Sequence, residues 1–190
     1  MWRSVSVTSA PAAEPLTTAD AKAHLRVDHS DDDTLIAATV AAARAHVEAR
    51  TATRLYTQTV TMKAESWDDF ASLPVAPIQS IASVSYVDTA GTAQTLSTDY
   101  YEARLFGLEP GLALKFAQSW PPMQDGSLLT VVAVVGYGGA GTQPPEVMHA
   151  IKLIVGDMYE HRETVGSGAI SLPVATTVDA LLANHRKHLI

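Results

Sequence analysis

Three groupings in this 190-residue chain hold residue types that could do chemistry. Asp28, His29, Asp31, Asp32 and Asp33 offer oxygen and nitrogen ligands in one short stretch. A calcium loop needs a central glycine and a closing glutamate, and this run has neither. Helix capping explains the same residues: Ser30 as the cap, with acids in the first turn, where the helix dipole favours negative charge. His185 and His188 are spaced to share one helix face, as zinc ligands do. No carboxylate is fixed beside them, and with Arg186 and Lys187 they read as a solvated basic helix end. The run Gly136-Tyr137-Gly138-Gly139-Ala140-Gly141 lies between a strand pattern and a helix pattern, the setting of a phosphate loop. It lacks the Lys-Ser/Thr of such loops, and Pro144 and Pro145 remove two backbone donors, so it reads as a flexible joint. There is no Gly-x-Ser-x-Gly elbow, no singled-out carboxylate pair and no cysteine. No catalytic, cofactor-binding or metal-ligating residue is assigned; the expectation is a non-enzyme without a cofactor.

The elements around these groupings are more legible. Residues 1–15 are polar to small, with Pro11 and Pro15, and suggest an extended N-terminal arm. Thr17, with Asp20 three positions on, predicts a short capped helix to Arg26. After Ser30 a long helix is expected to Thr51, with Ile36, Val40, Ala43 and Val47 on one face. Ala37, Ala38, Ala41, Ala42 and Ala45 surround that face and suit close helix–helix approach. From Leu55 the period becomes two: Tyr56, Gln58, Val60 and Met62 alternate with Thr57, Thr59, Thr61 and Lys63. Leu73 to Pro77 is a rigid connector. Strands are expected over 78–87, 92–96, 100–106, 112–116 and 128–137, with Asp88-Thr89-Ala90-Gly91 as a hairpin turn. Pro144 and Pro145 open a second long helix. Val147, Ile151, Ile154 and Met158 form one apolar stripe, and Met148, Val155 and Tyr159 a second, so the helix should be covered on two sides. Gly166 and Gly168 end it. A last helix is expected over 178–189, with Thr177 as cap and Leu181, Leu182, His185 and Leu189 on one side.

This pattern predicts an α+β fold. The N-terminal helices (16–54) and the long helix (142–165) pack together around an inserted antiparallel β-rich subdomain (55–141), sandwich- or barrel-like. A C-terminal arm with a short helix (166–190) follows. The charge of −7 disfavours tight nucleic-acid binding, because phosphate neutralisation dominates that affinity. It permits a surface past which DNA slides without adhering. Residues Met1 to Val7 lack the apolar stretch of a signal peptide. The longest apolar run, Leu128–Tyr137, is about half the length of a membrane-spanning helix, so no membrane partner is expected.

In order, the segment Leu16–Asp33, the Ala-rich helix ending at Thr51, the strand from Leu55, Leu73-Pro74 with Pro77-Ile78, the hairpin at Gly91, Trp120-Pro121, Gly136-Tyr137-Gly138 and Tyr159-Glu160-His161-Arg162-Glu163 resemble the head–tail connector (adaptor) proteins of long-tailed phages and gene transfer agents. The match spans roughly residues 14–165. The resemblance implies a structural protein of the virion or virus-like particle, assembled in the bacterial cytoplasm and seated at the head–tail junction. Such proteins form rings of about twelve copies beneath the portal protein. They offer a platform to the next tail-side component, a stopper or tail terminator, and double-stranded DNA passes through the lumen without specific binding. On that picture Ile36, Val40, Ala43, Val47, Met148, Val155, Tyr159, Glu160, Arg162 and Glu163 are expected at subunit interfaces. Leu181, Leu182, His185, Arg186 and Leu189 are expected on a portal-binding arm. Two alternatives stay open: a soluble protein-binding module outside any virion, and a DNA-packaging accessory protein.

Overall fold

A computed structural model describes residues 1–161 and 174–187. The described residues form four α-helices and seven strands, in two compact units. One comprises residues 1–12, 52–138 and the segment from Lys187; the other comprises 13–51 and 139–186.

The first unit is built on a five-stranded antiparallel sheet. Its strands are β1 (Trp2–Ser9), β2 (Gln58–Ala64), β3 (Ile78–Val87), β4 (Ala93–Thr95) and β7 (Leu129–Val135), in the order β1-β2-β7-β3-β4. β5 (Tyr101–Arg104) and β6 (Gly111–Leu114) form a separate hairpin. The period of two read at Gln58, Val60 and Met62 is real: these side chains are buried and the intervening ones are not. Val60 opposes Ala133, and Met62 opposes Val131, which also faces Val84 of β3. The hairpin and a 3-10 turn (Trp67–Ala71) complete this core through Phe70, Tyr101 and Leu112. The β-rich part is thus one open sheet plus a hairpin, and not a closed barrel.

Two expectations change here. Residues 2–9 are no loose arm, because β1 pairs along β2 from Trp2 to Ser9. The Trp2 indole N–H also donates to the carbonyls of Asp69 and Ser72. Nor is Gly136 a joint. Its φ is +111°, and a Cβ there would collide with the Tyr56 carbonyl oxygen. Gly136 N–H donates to Pro77, its carbonyl accepts from the Gln79 amide, and Thr57 N–H donates to Gly138. Glycine serves close backbone approach at that position. The boundary between the units falls after Gly138.

The second unit packs α1 (Thr18–Leu25), α2 (Asp33–Thr51), α3 (Pro145–Glu160) and α4 (Val174–Leu182), with α3 against the other three. Thr17 caps α1 as expected: its hydroxyl accepts from Asp20 N–H and donates to the Asp20 carboxylate. Ser30 does not cap α2, which starts at Asp33 with Ile36 N–H bonded to the Asp32 carbonyl. α4 begins at Val174, so Thr177 lies within it, and a 3-10 turn ends it at His185. Val178 and Leu182, one turn apart, form its buried face.

Candidate functional site

Among the described residues no group of three or more histidines and carboxylates is placed to hold a metal ion, and the acidic run after α1 joins helices. The Asp33 carboxylate pairs with the Lys22 ammonium at 2.7 Å, tying α1 to α2. The Tyr159 hydroxyl donates to Asp32 at 2.6 Å, tying α3 to the start of α2. His29 lies 3.9 Å from Asp31 on the surface. Further along α2, the Arg44 guanidinium bridges Glu14 at 2.6 Å and Glu48 at 3.0 Å. Burial opposes the Arg44 charge, yet its two carboxylates hold its pKa above the ordinary value. Arg50 meets Asp179 of α4. These pairs add to an interior in which Ala21, Ala43 and Ala150, which bury little area each, stand beside Ile36, Ile151 and Leu182.

That interior decides where the expected assembly residues stand. Ile36, Val40, Ala43 and Val47 are buried within the chain's own helical unit, as is Val155. They form the subunit's core and are corrected from interface to interior. The physical reason is that α3 and α1 cover this stripe from the same chain. Met148 and Tyr159 are half-buried, and Glu160 is exposed. On the arm, Leu182 is buried, Leu181 and His185 are half-buried, and Arg186 is exposed. His185 sits 3.6 Å from Glu146, a carboxylate the sequence reading did not pair with it. Arg162, Glu163, Gly166, Gly168, His188 and Leu189 lie outside the described residues.

What the helical unit does leave open is the opposite side of α2. Leu35, Ala38, Ala42, Ala45 and Ala49 follow one another at steps of three and four and are all exposed. A heptad-like stripe of alanines lets a second helix approach closely without steric exclusion. Met158 on α3 is exposed as well. The sequence signal for this face was the alanine content itself, which surrounds the stronger apolar stripe.

Lys187 departs furthest from expectation. Its side chain has 0% exposure, against the solvated basic end expected from Arg186-Lys187-His188. Its ammonium donates to Ser72 Oγ at 3.2 Å, the Leu108 carbonyl at 3.3 Å and Glu109 at 3.1 Å. Three acceptors match its three donors, which is what a buried ammonium requires. Nothing in the local sequence distinguishes this lysine from its exposed neighbour.

No helix among the described residues is long and apolar enough to cross a membrane. The resemblance to head–tail connectors is borne out: the family model described as phage gp6-like head-tail connector protein matches residues 16–106. No curated protein matches the chain. Among solved structures, a chain in the neck of an empty GTA particle, computed with C6 symmetry, is similar with a TM-score of 0.81. The match is 21% identical and covers 99% of this chain and 97% of that one. A chain in the virion of a native gene transfer agent particle gives a TM-score of 0.80, again at 21% identity with 99% and 97% coverage. One in the neck of the native GTA particle, computed with C12 symmetry, gives 0.79 at the same identity and coverage. At this identity the likeness establishes the fold across essentially the whole chain.

Proposed function

With residues 16–106 matching the phage gp6-like head-tail connector family, we propose that this chain is a structural head–tail adaptor of a phage or gene transfer agent particle, and not an enzyme. The family match carries the reading, and a shared fold with neck chains from end to end supports it. The chain assembles as a ring at the head–tail junction. The ring docks beneath the portal, presents a platform to the next tail-side protein and lets double-stranded DNA through its lumen. Neck particles with C6 and C12 symmetry support a ring of identical subunits. The net charge of −7, repeated around a ring, disfavours DNA adhesion.

The interior position of the Ile36 stripe moves the proposed subunit contact to the exposed face Leu35, Ala38, Ala42, Ala45 and Ala49. A head-to-tail ring needs a surface that a neighbour's different surface can approach closely, and this one excludes no volume. Arg186 and the half-buried Leu181 and His185 remain the portal-facing candidates. The test is negative-stain imaging of the purified protein with the portal ring of the same genome. The expected result is a second ring on the portal, lost in an Ala42→Glu, Ala45→Glu variant whose circular dichroism is unchanged. If the unaltered protein adds no ring, even at low salt, the adaptor reading fails and a soluble protein-binding module takes its place.

A further inference from the structure

The β unit carries an apolar knob and an apolar hollow, each beside an unmatched charge. The knob follows β6. Lys115 N–H donates to the Tyr100 carbonyl, and Gln118 N–H donates to the Lys115 carbonyl at 3.1 Å, closing a tight turn. Phe116 stands at the first corner of that turn and is 99% exposed. Ala117, at the second, has φ +61°, a left-handed backbone that alanine adopts reluctantly. Backbone strain of this kind persists where the surrounding bonds over-determine it, so the ring is held in water on a fixed turn. The Lys115 ammonium donates to the Thr98 carbonyl at 2.9 Å and meets no carboxylate among the described residues. The hollow, of about 530 Å³, has Met1, Trp2, Ala71 and Pro74 in its walls, with Asp68 and Asp69 beside them. Asp69 is taken by the Met1 amine at 2.6 Å. Asp68 is exposed, and its carboxylate meets no cation among the described residues. At its exposure Phe116 fills no hollow of its own chain. A Cβ on Gly111 would press on the Ala71 carbonyl, and five residues of extended chain carry Phe116 roughly 15 Å from that point.

We propose that Phe116 of one copy seats in the hollow beside Trp2, Ala71 and Pro74 of the next copy, with Lys115 meeting Asp68. The inference rests on the ring reading above and adds a contact between β units to the one proposed on α2. A second copy is the occupant the chemistry favours. One chain supplies both an apolar knob next to an unmatched ammonium and an apolar hollow next to an unmatched carboxylate. The contact is head-to-tail: each copy gives its knob to one neighbour and its hollow to the other, which is the arrangement that closes into rings. Burial of the phenylalanine in a pocket supplies the anchor. The ion pair, still in reach of solvent, sets register more than strength.

The test puts p-benzoylphenylalanine, a photoreactive analogue of similar shape, in place of Phe116 in the full chain. Isotope-labelled and unlabelled copies, both carrying the probe, are mixed in equal amounts. They are irradiated alone at high concentration and with the portal ring of the same genome, and the second ring is imaged in parallel. The expected product is a ladder of dimers and larger species, with adducts that mass spectrometry maps to Met1, Trp2, Ala71 or Pro74 of the other isotope. The same probe in place of Phe106, which is 81% exposed, should give no adduct there. Asp68→Lys should cut the yield by about tenfold at low salt, and Lys115→Glu in the same chain should restore it. A ring imaged on the portal without these adducts would overturn the contact and leave the adaptor reading standing. Adducts that stop at dimers would also overturn it, since a two-fold pair uses both knobs and leaves none to build a ring. Adducts without a ring on the portal would support the contact and count against the adaptor reading; neither adduct nor ring would remove both. An undiminished yield in Asp68→Lys would overturn the role of the carboxylate.

Discussion

The two units of this chain solve the same problem with different materials. The β unit buries Phe70, Leu73, Met62 and Leu129 and surrounds Phe70 with the rings of Trp2, Trp67 and Trp120. Area removed from water holds it together, and its polar bonds mostly satisfy backbone groups. The helical unit buries Ile36, Ile151 and Leu182 beside alanines and valines, and its helices are also joined by Lys22–Asp33, Tyr159–Asp32, Arg44 with its two glutamates, and Arg50–Asp179. Small side chains permit close helix approach but specify helix register poorly. Directional pairs supply that register at modest stability. In a protein built this way the internal order of the helical unit responds to salt more than that of the β unit.

The largest expected effect is Phe70→Ala, which should cost about 3–5 kcal/mol by opening a cavity beneath the aromatic cluster. All three tryptophans lie in the β unit, so urea unfolding followed by tryptophan fluorescence reads that unit. Next is Arg44→Leu, which leaves Glu14 and Glu48 facing each other without their shared cation. A cost of about 2 kcal/mol is expected, below that of a fully buried pair because Glu14 is partly exposed. Far-ultraviolet circular dichroism at two salt concentrations checks it: the loss should shrink as salt rises. If Arg44→Leu proved as costly as Phe70→Ala and indifferent to salt, the contrast between the units would collapse.

Lys187 sharpens the contrast, being a buried charge in the unit that otherwise relies on area. Glu109→Gln should cost about 1–2 kcal/mol, since it leaves an ammonium buried without its counter-charge, whereas Lys187→Met should be nearly neutral. Differential scanning calorimetry of the pair separates these outcomes. Thr17→Ala should cost about 1 kcal/mol, the usual loss of a helix cap, read by thermal melts at 222 nm.

The smallest effect is on pH dependence. Burial opposes the Asp69 charge, but hydrogen bonds from the Met1 amine and from the Ser66 and Glu65 amides hold its carboxyl below the ordinary carboxylate range. A depressed folded pKa gives stability that is present above the unfolded value and lost as pH falls through the folded one. Fluorescence-detected stability should therefore decline below about pH 4 and decline less in Asp69→Asn.

Much of this was readable before any fold was known, for reasons visible residue by residue. The α2 stripe and the β2 alternation were legible because burial there follows the backbone period. The stripe's use was not, since periodicity identifies a covered face without naming what covers it. β1 was missed because an edge strand needs few apolar residues, and its serines and threonines read as arm. Lys187 was missed because three acceptors from Ser72, Leu108 and Glu109 converge on it only in three dimensions. Gly136 was taken for a joint because a glycine needed for close approach and one needed for flexibility look alike in a sequence.

The nesting of the units bears on how the chain emerges during synthesis. Arg3 of β1 meets Glu65 across sixty-two positions, and the first two helices are made in between. Those helices in turn wait for α3, which follows the whole sheet. Neither unit can finish in the order in which it is made, so β1 spends much of translation as an unpaired strand of serine, threonine and valine. Slow, long-range closure of this kind exposes a nascent chain to capture by other chains. The polar face of β1 then has a second use, keeping the waiting strand dissolved until β2 arrives.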